Sequence, residues 1–377
     1  MKYTVEEVMQ YVEEEDVKFI RLAFCDIFGR QKNVSIMPGE LKRAFEQGIA
    51  FDASAIRGFG RYTRSDLFLY PDPDTLSVLP WRPEKGRVVR MYCTIAQTSF
   101  VPTPECEPFE CCTRTLLRRA AETAAKEGAE LLFGSRAEFY LYGADEDGRR
   151  TNVPFDNAGY MDIAPLDRGE DVRRQIALTL ERMGICAESS CHIEGSGQNA
   201  VKLVRTGMPR AADDLMSFFT VIKTAASANG LCAELSPKPI ADMHGSGLSI
   251  EMSAGKDTEK LRHAAAGIAA HLPEITLFLD PTRASYERLR GLNKRAMRFD
   301  NTGGSATLCT PDCTANPYLV YALLIYAALD GIKNGTEYND TVKLPESFEE
   351  AAENAKKSGF IRELLPELIT EIYCTER

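Results

Sequence analysis

Three times beyond residue 110 a long amphipathic helical pattern runs directly into a strand pattern, and no glycine fingerprint of a βαβ unit follows any of them. Arg114–Glu127 precedes strands within Glu130–Tyr142. Glu170–Met183, stopped by Gly184, precedes Ile185–Ile193, and Pro209–Asn229, closed by Gly230, leads to Leu231–Leu235 and then Leu248–Met252. Further helical patterns at Thr258–Leu279 and Ala315–Ile332 complete the body. No repeat is present. Long helices interleaved with paired strands predict an α+β body on a largely antiparallel sheet rather than a doubly wound parallel one.

A smaller unit precedes this body. Thr4-Val5-Glu6-Glu7 has capping-box form and predicts a helix over residues 4–14. Val17–Phe24 and Lys32–Ile36 flank the turn Asp26-Ile27-Phe28-Gly29 and predict a hairpin, and Glu40–Gln47 predicts a helix stopped by Gly48. Pro71, Pro73, Pro80 and Pro83, followed by the proline-broken stretch 98–108, place a boundary near residue 105, dividing the chain into 1–104 and 105–377.

A length of 377 residues excludes one small module, and 44% hydrophobic residues give enough apolar surface for a sizeable core. Lys and Arg number 45 against 55 Asp and Glu, a formal charge of −10. With no run of five or more basic residues, the chain lacks the electrostatic footprint of a nucleic-acid or anionic-lipid binder, so small molecules or proteins are the expected partners. Met1–Gln10 is charged, and no stretch reaches the roughly 18 apolar residues that span a bilayer, which predicts a cytoplasmic protein. Eleven cysteines without a secretory signal read as reduced thiols. Cys106, Cys111 and Cys112 are neighbours, as are Cys309 and Cys313, but no C-x-x-C faces a second metal-binding pair, so they read as buried or incidental thiols.

Several segments, in order, resemble the glutamine synthetase family. Ile20–Lys32 resembles its first hairpin. Phe51-Asp52-Ala53-Ser54-Ala55-Ile56-Arg57-Gly58-Phe59 resembles F-D-G-S-S-I-x-G-F, and Ser65-Asp66-Leu67 with Pro71-Asp72-Pro73-Asp74-Thr75 resembles S-D-M…P-D-P-x-T. Tyr160–Pro165 resembles Y-F-D-x-x-P, Lys238-Pro239 with Gly245-Ser246-Gly247 resembles K-P…N-G-S-G, and Ser285–Leu289 resembles S-Y-K-R-L with one charge reversed. Ala315–Leu319 with Leu329–Ile332 resembles A-N-P-Y-L…L-D-G-I. The resemblance implies an N-terminal β-grasp domain, a catalytic-type domain with a curved, largely antiparallel sheet flanked by helices, and a homo-oligomeric ring. It also implies an ATP-dependent ligase that uses Mg²⁺ or Mn²⁺ to make glutamine through an acyl phosphate.

The family's metal ligands are mostly replaced. G-x-E-x-E-F becomes Gly134-Ser135-Arg136-Ala137-Glu138-Phe139, keeping Glu138 alone. H-H-E…G-Q-x-E matches Cys191-His192-Ile193 and Gly197-Gln198-Asn199-Ala200, which puts Ile193 and Ala200 where the family has glutamate. Ser249 and Glu251 take histidine positions, and the last glutamate falls in a gap between Cys309 and Thr310. N-R-S-A-x-x-R becomes Gly303-Gly304-Ser305-Ala306-Thr307-Leu308-Cys309, which puts Gly304 and Cys309 at its two arginines, and Lys294 replaces a flap glutamate. By this match the retained positions are Asp52 and Asp66 at the ammonium site, Gly245 and Arg288 at the glutamate site, Ser253 beside the nucleotide, and Glu138 as metal ligand.

Bland readings stand beside these. Gly245 and Gly247 could be demanded by backbone angles, Asp52 by a turn, and Arg288 could be an exposed helix-end arginine instead of a carboxylate binder. Arg136 and Glu138 share a strand face and either pair in the interior or form a solvated ion pair. Glu194 lies one residue past a ligand position, which on a strand turns it to the other face. Two functional readings remain. One is a degenerate family member, a pseudoenzyme that binds an amino-acid-like metabolite or a partner protein; the other is an active ligase using Glu194 and Glu251, and only this second reading requires ATP and Mg²⁺ or Mn²⁺.

Overall fold

The computed structural model describes residues 3–61, 63, 66–82, 85–97, 108–290, 296–300, 302–339 and 342–375. Ser65, Cys106, Lys294 and the expected boundary near residue 105 lie outside the described residues. The chain separates into two compact units, Met1–Leu116 with Arg182–Gly184, and Leu117–Glu181 with Ile185–Arg377.

In the first unit, helix α1 (Val5–Glu14) starts at the expected capping box, with Thr4 accepting from the Glu7 amide and Glu7 from the Thr4 amide. Strands β1 (Val17–Cys25) and β2 (Gln31–Ile36) form the expected hairpin, and α2 (Leu41–Gln47) ends at Gly48, whose φ of 73° suits glycine. Strands β3 (Ile49–Asp52), β4 (Asp66–Pro71), β5 (Ser77–Val78) and β6 (Arg87–Ala96) complete a sheet of order β2-β1-β6-β4-β3, with β5 on β6. The β1–β6 pair is parallel and central. Such mixed pairing around one crossover is a β-grasp.

The second unit contains α3 (Thr113–Lys126, which begins in the first unit), β7 (Leu132–Ala144), β8 (Arg150–Pro154), α4 (Glu170–Arg182), β9 (Ala187–His192), β10 (Gln198–Leu203) and α5 (Arg210–Ala228). It continues with β11 (Leu231–Glu234), β12 (Leu248–Ser253), α6 (Thr258–Leu279), α7 (Arg283–Arg290), β13 (Met297–Phe299), β14 (Ala306–Leu308), α8 (Pro317–Asn334), α9 (Phe348–Lys357), α10 (Gly359–Leu364) and α11 (Glu367–Thr375). The strands run β13-β14-β12-β7-β10-β9, with β8 and β11 also on β7, and the pairs are antiparallel.

Alternation along β7 sorts the sheet's two faces. Ala137, Phe139 and Leu141 are fully buried, and Ser135 accepts from the Tyr321 hydroxyl on α8 at 3.2 Å, so odd positions face the helices. Even positions Arg136 and Glu138 point to the opposite face. Behind the sheet, α6 and α8 meet at Gly267 and Gly331, where an added Cβ on Gly267 would lie 2.6 Å from the Gly331 Cα. Asn316 caps α8 by accepting from the Tyr318 amide, with Pro317 in the first turn as the sequence predicts. The ten described free cysteines make no disulfide, and no described helix is long and apolar enough to cross a membrane.

Candidate functional site

Register across the second sheet builds a polar face. Glu138 stands opposite Ala200, which stands opposite Cys191; Arg136 stands between Lys202 on one side and Ser249 on the other; Glu251 faces Gly134. The face is therefore populated by Arg136, Glu138, Lys202, Ser249 and Glu251. Its charges are paired within the protein. Arg136 Nη1 lies 3.4 Å from Glu138 Oε1, and both side chains are mostly buried. Lys202 Nζ lies 2.7 Å from Glu188 and 2.9 Å from Glu251, which also accepts from Ser305 at 2.8 Å. Burial works against the Glu251 charge, but Lys202 and Ser305 outweigh it and hold its carboxyl below the usual range.

Glu138 is also fixed from the other side. Its Oε2 accepts from the Gly247 amide at 3.1 Å, and its own amide donates to the Gly247 carbonyl at 3.0 Å. The segment before Gly247 is stitched down as well, by Tyr140 to the His244 carbonyl at 2.6 Å and Gln198 to the Gly245 carbonyl at 3.1 Å. Neither Gly245 nor Gly247 has a positive φ, so backbone angle is not why they are glycine. Close approach is the reason: a Cβ on Gly245 would meet the Pro237 carbonyl at 2.6 Å and the Arg288 Cβ at 3.1 Å.

Arg288 is buried, not an exposed helix end. Its Nη2 donates to Asp280 Oδ1 at 2.9 Å and to the Thr310 carbonyl, while Nη1 faces the Gly247 position. Burial opposes its charge, yet Asp280 and Asp312 outweigh that and hold Arg288 above the ordinary arginine value. Burial drives Asp280 well above the usual carboxylate range, with the Arg288 guanidinium opposing and the nearby Asp312 adding to the rise. Sequence reading did not single out Asp280 or Asp312, which lie 8 residues before and 24 after Arg288 and carry no motif of their own.

The other expected residues are dispersed. Asp52 and Asp66 are both exposed in the first unit and are direct cross-strand partners in β3 and β4. The Asp52 carboxylate accepts from the amide and hydroxyl of Ser54 at 2.9 and 2.6 Å, which lowers its pKa and makes it the cap of a short turn. Ser253 ends β12 and is buried. Glu194 is not on a strand: β9 ends at His192, and a turn closed by the Gln198 amide on the Gly195 carbonyl leaves Glu194 exposed, 3.0 Å from His244. The one-residue offset argument therefore does not apply to it. His192, Glu194 and Glu251 go to separate partners, Asp156, His244 and Lys202.

Family models match both units, that for the glutamine synthetase beta-Grasp domain over residues 16–98 and that for the glutamine synthetase catalytic domain over residues 110–298 and 306–377. A glutamine synthetase of Clostridium saccharobutylicum is 37% identical over 366 residues, covering 89% of this chain and 81% of its own. One of Methanosarcina mazei is 33% identical, covering 98% of this chain and 92% of its own. The chain belongs to the glutamine synthetase family. Solved structures agree on the fold: apo GmaS without ligand superposes with a TM-score of 0.84 at 22% identity, covering 97% of this chain and 94% of that one, and Plasmodium falciparum glutamine synthetase with 0.85 at 19%, covering 99% and 95%.

The family implies a divalent cation, and the residues present do not fit one. Glu138 stands at the one ligand position that the sequence match keeps, and its two oxygens are taken by Arg136 and the Gly247 amide. A guanidinium beside the one carboxylate repels a cation. The acids and histidine that do converge among the described residues are Asp156, Asp167 and His192. Their lone pairs are spent. Asp156 accepts from His192 at 2.9 Å and from the Gly197 amide at 2.9 Å, Asp167 is bound by Arg173 through both oxygens, and His192 Nδ1 lies 2.7 Å from the Ile193 carbonyl. This is a buried hydrogen-bonded network and not a metal centre.

Proposed function

We propose that this glutamine synthetase family member is a pseudoenzyme that binds an amino-acid-like metabolite without metal-dependent phosphoryl transfer. One observation carries the reading: Arg136 pairs with Glu138 where the family match places two metal-binding carboxylates. Phosphoryl transfer gathers negative charge on the transferring oxygens, and removing a single preorganised stabilising group commonly costs about 10²–10³ in rate. Here Arg136, Ile193, Ala200, Ser249 and Gly304 replace several such groups at once. Glu251 and Glu194, which the ligase reading needs, are held by Lys202 and His244.

The metabolite site in this reading lies along Gly245–Gly247, with Arg288 as its deep positive charge and a homo-oligomer of cytoplasmic subunits as its setting. A carboxylate can pair with guanidinium and backbone amides without metal. Two measurements test it. Purified protein given glutamate, ammonium, ATP and Mg²⁺ or Mn²⁺ should release no glutamine, and calorimetry should detect glutamate, glutamine or a related acid equally with and without chelator. Sustained metal-dependent glutamine synthesis abolished by Glu138→Ala would establish the ligase instead.

A further inference from the structure

Charge alternates along the polar face of the second sheet. The Glu138 amide on the Gly247 carbonyl carries the β7–β12 register one pair beyond Leu248, so that Gly247, Glu138 and Ala200 form one row and Ser249, Arg136 and Lys202 the next. Gly247 leaves an opening in the first row. A Cβ there would stand 3.1 Å from Arg288 Nη1 and 3.8 Å from Glu138 Oε2, so these two groups flank the space that a side chain would fill. The second row lies two residues further along the strands, a step of about 7 Å. Cation, acid and cation, in the order Arg288, Glu138 and Arg136, therefore follow one another across the face.

The cations of the face are not equally engaged. Lys202 Nζ is held at 2.7 and 2.9 Å by Glu188 and Glu251, and Arg288 Nη2 is held by Asp280 and the Thr310 carbonyl. The one acid contact of Arg136 among the described residues is the 3.4 Å approach to Glu138. That exceeds the about 2.7–2.9 Å of a charge-assisted hydrogen bond, and a planar guanidinium carries further donors. Arg136 is 26% exposed at its side chain, and Gly247 and Ser249 beside it are open as well, so those donors can be reached from solvent.

We propose that Arg136 is a specificity-determining residue that reads the distal group of the ligand, so that the site takes an α-amino dicarboxylic acid and rejects the corresponding amide. The inference rests on the metabolite reading above. With one carboxylate on Arg288 Nη1 and the ammonium against Glu138, a short side chain running along the face brings its far end to Arg136. A second carboxylate there meets the guanidinium fork with an acceptor at each oxygen. A terminal amide offers one acceptor and sets its N–H against an N–H of the fork, a donor facing a donor. Lys202, directly opposite Arg136, adds positive charge at the same end of the face. A fixed guanidinium thus does for the distal acid what would otherwise need a bound cation.

Calorimetry of the full chain with glutamate and, separately, with glutamine, in chelator and at constant ionic strength, tests this. Glutamate should bind roughly tenfold or more tightly than glutamine, the scale of a hydrogen bond to a charged group. Arg136→Gln should weaken glutamate by a similar factor and leave glutamine where it was, so that the preference disappears. Arg136→Lys keeps the charge without the planar fork; it should retain part of the preference, and it carries the test if Arg136→Gln fails to fold. Equal affinity for acid and amide in the parent, or an Arg136→Gln protein that keeps the preference, would overturn the proposal and leave the metabolite site standing. Binding of neither compound to the parent would overturn both.

Discussion

Arg136 and Lys202 are direct cross-strand partners, two cations side by side on the sheet face that the family match assigns to metal ligands. Each keeps its own carboxylate, Glu138 for Arg136 and Glu188 with Glu251 for Lys202, so the face is neutralised from within. Like charges opposite one another on a sheet destabilise unless such partners stand by them.

The first prediction follows from that pairing. Titration of Mn²⁺, followed by paramagnetic resonance of the free ion, should show no site of micromolar affinity. Arg136→Glu should not create one, because Ile193, Ala200 and Ser249 still offer no carboxylate or imidazole. A tight Mn²⁺ site in the parent would contradict the geometry at Glu138.

A second prediction concerns Arg288. Arg288→Ala leaves Asp280 and Asp312 buried without their cation and should destabilise the fold by about 3–5 kcal/mol in urea unfolding. Asp280→Asn should cost far less, since Asp280 is already driven toward its neutral form. Equal losses for the two variants would mean that Asp280 carries its full negative charge in the fold.

The helix crossing supplies a third. An added Cβ on Gly331 would lie 2.6 Å from the Gly267 Cα and against the His263 carbonyl, both backbone atoms that cannot swing aside. Gly331→Ala should lower stability by roughly 1–3 kcal/mol, the usual cost of overpacking. Gly184→Ala, with nothing within 4 Å of its Cβ but a φ of +77°, should be destabilising through backbone strain alone.

Local signals were legible where one face of an element is buried or a cap is present, as in α1, the β1–β2 hairpin and the helices α4 to α6. Strand β6 was not, because Val88 to Cys93 is buried on both faces and shows no alternation. The short β13 and β14 and the helices after residue 348 also went unread. At the site, the pairing of Arg136 with Glu138 could be anticipated from their spacing of two on a strand. The Arg288–Asp280–Asp312 cluster and the network of Asp156, Asp167, Arg173 and His192 could not, since their members meet only when distant segments fold together.

The last prediction is a pH dependence from that network. His192 is fully buried, with Nε2 2.9 Å from Asp156 and Nδ1 2.7 Å from the Ile193 carbonyl, and only the doubly protonated ring donates at both nitrogens. Burial opposes the charge, but Asp156 and Ile193 outweigh it and raise the His192 pKa, while burial of Asp156 is outweighed by His192 and Gly197, which lower its own. For a group raised on folding, the stabilisation is fully present below the unfolded value, about pH 6.5 for histidine, and is lost as pH climbs through the folded value. For Asp156 the sign reverses: its contribution is present above about pH 4 and is lost as pH falls through the lowered folded value. Stability should therefore decline on the alkaline side, by at most about 1.4 kcal/mol per pH unit for one proton. Urea midpoints of parent and His192→Gln compared from pH 5 to 9 isolate this contribution from that of Asp280, which remains in both proteins. The gap between the two should narrow as pH rises, and a constant gap would show that His192 folds as a neutral ring.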